Sequence, residues 1–270
     1  VHAVENDGRA GVIWHTQGSG KSFSMTFLAG NLVKHNKLNN PTILVITDRN
    51  DLDGQLYDTF CSAYEFLRQE PIKCESRADV REILEGRKTG GVIFSTIQKF
   101  VEETGLLSDR ENIVVMVDEA HRTQYNIDGK LDTNTGEIKY GYAKYLRESL
   151  PNATYIAFTG TPIENNLLEL WSIFDFIMPG YLYSKKKFQD KFIKNEKGII
   201  ELKKYIKPFI LRRLKNDVMS ELPDKIEKRY VVEMTKEQKK VYKTYIDDIK
   251  NKMKEKDLTK DKITIFSYLT

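Results

Sequence analysis

Residues 15–22 read His-Thr-Gln-Gly-Ser-Gly-Lys-Ser, and they constrain the fold more tightly than any other stretch of the chain. An apolar run at 11–14 precedes them, and an amphipathic stretch at 23–33 follows. This order of strand, glycine-rich loop and helix is typical of a phosphate-binding loop. The general pattern begins with glycine, where this chain has His15. A glycine-rich turn with an incidental lysine is the alternative interpretation.

The residues of this loop have distinct expected roles. Backbone N–H groups of the glycine-rich turn can surround phosphate oxygens, because glycine permits close approach of the backbone. Lys21 would reach the outer phosphates, and the hydroxyl of Ser22 would ligate Mg²⁺. The predicted helix also directs its positive end toward the anion. The predicted nucleotide-binding residues are Thr16, Gln17, Gly18, Ser19, Gly20, Lys21 and Ser22.

A second segment predicts hydrolysis. The apolar run 113–117 has the length and composition of a buried strand, and it ends in Asp-Glu-Ala-His. Carboxylates at the carboxyl end of a parallel strand lie at the ligand-binding edge of an open sheet. We expect Asp118 to hold Mg²⁺ and Glu119 to orient and deprotonate the attacking water. His121 would lie where the nucleotide site meets the moving parts. An acidic pair alone is usually a solvated helix start, but the upstream phosphate loop favours an ATPase site.

Five short apolar runs separated by helical patterns predict an α/β fold with a parallel sheet covered by helices on both faces. The runs are 11–14, 42–47, 91–95, 113–117 and 153–158. The polar stretch 123–141 is predicted to be a loop. After residue 162 the pattern predicts helices only, apart from one mixed segment at 207–213. One of these helices begins at a capping box formed by Thr235 and Gln238.

The overall composition indicates the cellular compartment and the kind of partner to expect. No stretch approaches the roughly 18 apolar residues of a membrane helix, and the first residues are not a secretion signal. Cys61 and Cys74 lack metal-site spacing, which predicts free thiols and a cytoplasmic location. The net charge of +4 is unevenly distributed, with 18 basic and 22 acidic residues in 1–160 but 25 and 17 in 161–270. This asymmetry indicates a polyanionic partner, and solvated lysine-rich helices are the alternative explanation.

Five strings in a fixed order resemble the motor part of the R subunit of type I restriction enzymes, a superfamily-two double-stranded-DNA translocase. They occupy residues 11–22, 47–56, 95–100, 118–122 and 158–163. His15 also fits this family. The resemblance implies a RecA-like sheet, ATP and Mg²⁺ as cofactors, and double-stranded DNA as partner. It further implies the modification and specificity subunits of a restriction complex as partners.

The second part of the chain resembles Swi/Snf-type remodelling translocases instead. The matching segments are 159–176, 208–215, 221–227 and 234–242. Both families carry Thr-Gly-Thr-Pro, so the natural junction lies at 159–163. We expect either a hybrid of two related motors or an unfamiliar lineage that combines them. The expected domains are an ATP-binding motor lobe over 1–163 and a mainly helical extension over 164–270 that leads to an absent or truncated second lobe.

The resemblance also assigns roles outside the nucleotide loop. It implies that Thr159, Gly160 and Thr161 couple hydrolysis to movement. It implies DNA-backbone contacts from Thr47, Arg49, Ser95, Thr96, Gln98, Lys99, Arg212 and Arg213. Capping of the next helix is the alternative role for the hydroxyls of Thr47 and Ser95. A surface location beside buried Leu211 is the alternative for the arginine pair.

These families complete their ATP site with arginines from a second lobe, and an arginine finger adds about 10³–10⁵ in rate. We therefore expect this chain to bind Mg·ATP and duplex DNA but to turn over slowly. Three other functions stay open: an RNA-unwinding helicase, a non-hydrolysing nucleotide-switched binding module, and a small-molecule kinase. Glu119 argues against the switch, because a pure switch can dispense with a water-activating carboxylate. The Thr-Gly-Thr-Pro sequence argues against the kinase.

Overall fold

The computed structural model describes residues 11–16, 18–48, 50–120, 130–131, 138–139, 141–160, 167–195, 197–213 and 233–255. They belong to two compact units, Val1–Leu222 and Pro223–Thr270. The strands are β1 (Val12–His15), β2 (Thr42–Thr47), β3 (Pro71–Lys73), β4 (Val92–Thr96), β5 (Ile113–Val117), β6 (Lys130–Leu131), β7 (Ile138–Lys139), β8 (Thr154–Thr159) and β9 (Ile210–Arg213).

A seven-stranded parallel sheet in the order β3-β4-β2-β5-β8-β1-β9 forms the centre of the first unit. The helices of this unit are α1 (Lys21–Lys34), α2 (Asn50–Cys61), α3 (Tyr64–Leu67), α4 (Arg77–Gly86), α5 (Tyr142–Ser149), α6 (Leu167–Ile177), α7 (Lys185–Phe188) and α8 (Gly198–Ile206). A π-helical turn, Gln189–Ile193, continues α7. Shorter 3₁₀ turns lie at Asn36–Leu38, Ile97–Lys99, Glu102–Thr104 and Lys207–Phe209.

The sheet is covered on both faces, because successive side chains of each central strand enter different cores. Ile43 and Val45 of β2 lie in one hydrophobic cluster with α1 and α2. Leu44 and Ile46 of the same strand lie in the other cluster, with residues of α4, α5 and α6. A strand buried on both faces must be apolar at every position, which is why the central strands are continuous apolar runs. The predicted α/β, RecA-like fold is confirmed.

One local prediction needs correction, and two further strands were not predicted. The stretch 123–141, predicted to be a loop, contains β6 and β7, which pair antiparallel. The mixed segment 207–213, for which no element was predicted, contains β9, which pairs in parallel with β1 at the sheet edge. A Cβ at Gly11 would collide with the carbonyl oxygen of Phe209, so glycine permits this close approach. Strand β3 was also not predicted, since three residues are too few for a periodic signal.

The described residues within 167–213, which follow the predicted junction, belong to the same compact unit as the strands that precede it. Leu170, Trp171 and Phe174 of α6 are buried in the cluster that contains β5 and β8 residues. The unit boundary lies between Leu222 and Pro223. The division into 1–163 and 164–270 remains a prediction about motor parts, and α6 shares its hydrophobic cluster with strands that precede the junction.

The second unit contains α9 (Lys236–Glu255), and its predicted capping box is confirmed. The Thr235 backbone N–H donates to Gln238 Oε1 at 3.0 Å, and the Gln238 N–H donates to Thr235 Oγ1 at 3.2 Å. Both cysteines of the first unit are free thiols, as predicted. Within the part of the chain that the structure describes, no helix is long and apolar enough to cross a membrane.

Candidate nucleotide site

Three adjacent strands bring the predicted nucleotide residues to one edge of the sheet. Strand β8 lies between β5 and β1, and all three run in the same direction. The acidic pair follows β5, and the Thr159–Gly160 segment lies at the end of β8. The glycine-rich loop follows β1. The sheet order therefore places residues from three distant parts of the sequence at one ligand-binding edge.

The loop after β1 depends on two glycines with left-handed backbone conformations. Gly18 has φ 75° and Gly20 has φ 80°, values that favour glycine strongly over other residues. The turn closes where the Ser19 backbone N–H donates to the Thr16 carbonyl oxygen at 3.0 Å. Gly20 is the N-cap of α1, so Lys21 begins the helix. This geometry places the positive end of α1 directly after the loop.

His15 holds the loop through a hydrogen bond to Ser19. Its ring is buried, and Nδ1 lies 2.9 Å from Ser19 Oγ. The Ser19 hydroxyl proton is donated to the Thr16 carbonyl oxygen at 2.6 Å, so Ser19 Oγ accepts from His15 Nδ1–H. Burial lowers the pKa of His15, and the positive charges of Arg213 and Lys21 lower it further. A neutral histidine therefore replaces the usual first glycine and fixes the loop through Ser19.

The acidic pair meets Lys21 at the end of β5. Lys21 Nζ lies 2.8 Å from Asp118 Oδ1 and also forms an ion pair with Glu119 Oε1. The Asp118 backbone N–H donates to the Ile46 carbonyl oxygen at 2.8 Å, which fixes the start of the turn. Glu119 has φ 44°, an uncommon conformation for a residue with a side chain. The structure thus brings together the three residues that the sequence assigns to phosphate, metal and water.

Asp118 is the most buried carboxylate of this group, with 14% of its side chain exposed. Burial raises the pKa of Asp118 above its ordinary value, and the neighbouring Lys21 ammonium only partly offsets this effect. A buried carboxylate whose charged form is disfavoured by its surroundings is stabilised by an added cation. The electrostatics at the end of β5 therefore favour a cation beside Asp118.

Trp14 joins the loop strand to both of its neighbours, a role that sequence reasoning missed. Its indole Nε1–H donates to the Gly160 carbonyl oxygen at 3.0 Å. On the other side, the Arg212 guanidinium carbon lies 4.2 Å from the centroid of the Trp14 ring. An aromatic residue directly before the glycine-rich loop was the available signal, but its partners are far away in sequence.

The predicted arginine pair lies on β9, beside this strand. Register pairs Arg212 with Trp14 and Arg213 with His15. The Thr16 backbone N–H donates to the Arg213 carbonyl oxygen at 3.2 Å. The side chains of both arginines are exposed. The pair therefore borders the nucleotide loop, and Leu211 before it is exposed rather than buried as the alternative interpretation assumed.

The remaining predicted DNA residues lie at the carboxyl ends of β2 and β4. Register pairs Thr47 with Thr96, and both are buried, as is Ser95. Gln98 is exposed, and its Nε2 donates to the Asp48 carbonyl oxygen at 2.7 Å. Lys99 Nζ donates to Thr96 Oγ1 at 3.1 Å. Their contacts with DNA remain predictions. Gln17, Arg49, His121 and Thr161 lie outside the described residues.

Comparison with known proteins extends this picture. The SWI2/SNF2 ATPase family matches residues 1–195. The type I restriction enzyme HindI endonuclease subunit of Haemophilus influenzae is 52% identical over 164 residues, covering 59% of this chain and 15% of that protein. The TATA-binding protein-associated factor MOT1 of Saccharomyces cerevisiae is 38% identical over 185 residues, covering 58% of this chain and 10% of that protein.

A solved structure covers almost the whole chain. The Sulfolobus solfataricus SWI2/SNF2 ATPase core in complex with double-stranded DNA has 27% sequence identity and a TM-score of 0.58, and the match covers 99% of this chain and 54% of that one. The chain therefore spans only a small part of the curated relatives' length and about half of this structural relative. The predicted resemblance to both restriction and remodelling motors is confirmed.

Proposed function

Because the chain belongs to the SWI2/SNF2 ATPase family, we propose that it is the first motor lobe of an ATP-driven double-stranded-DNA translocase. One observation carries this proposal: Lys21, Asp118 and Glu119 converge within ion-pair distance at the carboxyl edge of the sheet. A structural relative bound to double-stranded DNA and a type I restriction relative support duplex DNA as the track.

The residues present fit a magnesium–nucleotide complex. Mg²⁺ sites at nucleotides use one or two carboxylates, and the phosphates and waters complete the coordination. Asp118 provides a carboxylate whose burial favours a neighbouring cation, and Ser22 provides a hydroxyl in the first turn of α1. When bound, Mg²⁺ neutralises charge on the outer phosphates. Asp118 and Ser22 are the residues that would hold it.

The protein's own groups divide the remaining work. Backbone N–H groups of the loop and the end of α1 bind the phosphates, and Lys21 exchanges its carboxylate partners for phosphate oxygens. Glu119 then orients the attacking water and accepts its proton. A carboxylate 25% exposed is accessible to water while remaining fixed by its position in the turn after β5. The buried ring of His15 keeps the loop in place during these steps.

Movement would be transmitted along the edge of the sheet. The Thr159–Gly160 segment follows β8, and the Gly160 carbonyl accepts the hydrogen bond from Trp14. A change in the nucleotide loop therefore reaches Gly160 through one side chain. Thr159 and Gly160 are the described residues that we propose couple hydrolysis to movement. Slow turnover by this chain, a cytoplasmic location and assembly with restriction subunits belong to the same proposal.

The experiment compares nucleotide binding and ATP turnover, with and without linear duplex DNA, for the unaltered chain and for Lys21→Ala. We expect duplex DNA to increase turnover and Lys21→Ala to reduce it by about 10²–10³, the effect of losing one preorganised charged donor. Lys37→Ala removes an exposed lysine from the turn after α1 and serves as the charge-matched control. Stimulation by RNA alone would support the helicase alternative. If duplex DNA changes neither nucleotide affinity nor turnover, the proposal is wrong.

A further inference from the structure

One concentration of positive charge lies far from the nucleotide loop in sequence. Residues 184–207 contain nine lysines and three acidic residues, an excess of six positive charges. The whole chain has an excess of only four, so the rest of it is slightly acidic. The segment 184–207, which forms α7, the π-helical turn and α8, therefore carries a large share of the basic excess of the second part of the chain. The proposed ATP chemistry does not use this segment.

Part of this segment forms an open cleft of about 480 Å³. Its lining residues are Ser184, Lys186, Lys187, Asp190 and Lys191. The acidic lining residue pairs mainly with a lysine outside the lining, since Asp190 Oδ1 lies 2.7 Å from Lys194 Nζ, although the charge of Lys186 also acts on it. Among the described residues, no salt bridge joins Lys186 or Lys187 to a carboxylate. The cleft therefore presents two ammonium groups, together with the hydroxyl of Ser184.

Tyr183 contacts two of the lysines that line the cleft, Lys187 and Lys191. Its backbone has φ 64°, and its carbonyl oxygen accepts a hydrogen bond from Trp171 Nε1 at 3.0 Å. Its hydroxyl lies 3.3 Å from the hydroxyl of Tyr205 and accepts from Lys191 Nζ at 3.4 Å. Lys187 Nζ lies 4.4 Å from the centroid of the Tyr183 ring. Ordered side chains lose less conformational entropy when they bind a ligand.

The backbone around the cleft is packed to hold this arrangement. The π-helical turn Gln189–Ile193 continues directly from α7, and such turns are frequent at functional sites. A Cβ at Gly198 would lie 2.6 Å from Phe192 Cα, so α8 begins in direct contact with the backbone of this turn. Lys191 also pairs with Glu201 of α8 at 2.8 Å. The two lysine-bearing elements are thus held together by backbone contact and an ion pair.

We propose that this cleft, lined by Ser184, Lys186, Lys187, Lys191 and the single acidic residue Asp190, binds the phosphodiester backbone of duplex DNA at a place separate from the nucleotide site. The inference rests on the proposed function. Lysine ammonium groups act as point charges for phosphate and give sequence-independent affinity. The tyrosine rings here already contact lysine ammonium groups, so the cleft suits phosphate groups better than stacked bases.

The test is the salt dependence of duplex binding by a Lys186→Gln, Lys187→Gln double variant. Each phosphate contact contributes about 0.9 to the slope of log affinity against log salt concentration. We expect the double variant to flatten this slope by about 1 to 2. The control is Lys239→Gln, Lys240→Gln, which removes the same charge from exposed positions of another lysine-rich helix, α9. We expect this control to keep the slope of the unaltered chain.

The outcomes separate this inference from the function on which it rests. Equal slopes for the cleft variant and the unaltered chain would overturn the cleft, even with DNA-stimulated ATP turnover intact. Equal flattening by the two double variants would also overturn it, because any lysine-rich helix would then suffice. Failure of the unaltered chain to bind duplex DNA at any salt concentration would overturn both the cleft and the proposed function. Unfolding temperatures of both variants confirm that folding is retained.

Discussion

Two groups of strand ends lie at the same edge of the sheet but differ in chemistry. The ends of β1 and β5 carry Lys21, Asp118 and Glu119, whose charges face one another. The ends of β2 and β4 carry buried hydroxyls, and the Ser95 hydroxyl donates to the carbonyl oxygen of Thr96. The first group can exchange its partners for a charged ligand. The second group is satisfied within the protein, so it is better suited to positioning the turns that follow it.

The largest expected effect concerns the charged group. Glu119→Gln keeps the shape of the side chain and one acceptor oxygen but removes its charge and its ability to accept a proton. We expect ATP hydrolysis to fall by about 10²–10⁴, the usual contribution of a general base, while nucleotide binding is retained. Single-turnover hydrolysis and binding of a fluorescent ATP analogue measure the two effects. The control is Glu148→Gln on α5, an acid that pairs with Lys144 on the helix surface. Turnover within threefold of the unaltered chain would contradict the assignment of Glu119.

Two glycines allow the two groups of strand ends to be compared by substitution. Gly20 follows β1, and Gly54 follows β2. Neither Gly20 nor Gly54 has an atom within 4 Å of an added Cβ, but only Gly20 has a positive φ, 80°. A side chain in that conformation costs about 1–2 kcal/mol, so Gly20→Ala should weaken nucleotide binding by about five- to thirtyfold. Gly54→Ala, inside α2, should instead raise stability by up to about 1 kcal/mol.

Calorimetric binding of Mg·ATP and chemical denaturation check this pair of substitutions. An added methyl group would meet open space at both glycines, so a clash cannot distinguish them. A loss of nucleotide binding at Gly20 but not at Gly54 would therefore come from the backbone conformation. If both substitutions weakened nucleotide binding equally, the left-handed conformation of Gly20 would not be the reason that the loop uses glycine.

Substituting Asp118 should change stability in a pH-dependent way. Burial raises its pKa, so the folded protein binds this proton more tightly than the unfolded chain does. Stability linked to Asp118 is therefore lost as pH rises through and above the ordinary carboxyl range. Asp118→Asn should therefore raise the unfolding temperature of the nucleotide-free protein at pH 7.

The pH dependence of the stability difference reports on Asp118, because every other titrating residue is present in both the variant and the unaltered chain. The stability advantage of Asp118→Asn should shrink as pH falls into the acidic range, where the carboxyl of the unaltered chain takes up its proton. Hydrolysis should be lost in the variant, since a carboxamide is a poor ligand for Mg²⁺. Thermal unfolding across pH measures the first effect. A variant less stable than the unaltered chain at pH 7 would show that the Lys21 ion pair outweighs burial.

The sequence predicted the charged group better than its surroundings, for physical reasons. Strand β5 is apolar at every position because both faces are buried, so Asp118 at its end was recognisable without a structure. The contact between Trp14 and Gly160 joins residues 146 positions apart, and it depends on strand order that no local pattern encodes. Strand β9 exists as a strand because β1 offers it a partner, and its two arginines weaken any apolar periodicity. His15 and Ser19 are only four residues apart, so their hydrogen bond could have been predicted.

The smallest expected effect tests the uncharged group directly. Ser95 is 1% exposed, so Ser95→Ala should change duplex-DNA affinity by less than about twofold. Lys99→Gln, in the turn after β4, should lower the affinity by about threefold at moderate salt, which is the loss of roughly one phosphate contact. Fluorescence anisotropy with a short duplex measures both. A larger loss from Ser95→Ala than from Lys99→Gln would mean that the buried hydroxyl becomes exposed when DNA binds. The hydroxyls at the ends of β2 and β4 would then also be able to contact a ligand. Burial in the structure would in that case not separate residues that contact DNA from residues that position the turns.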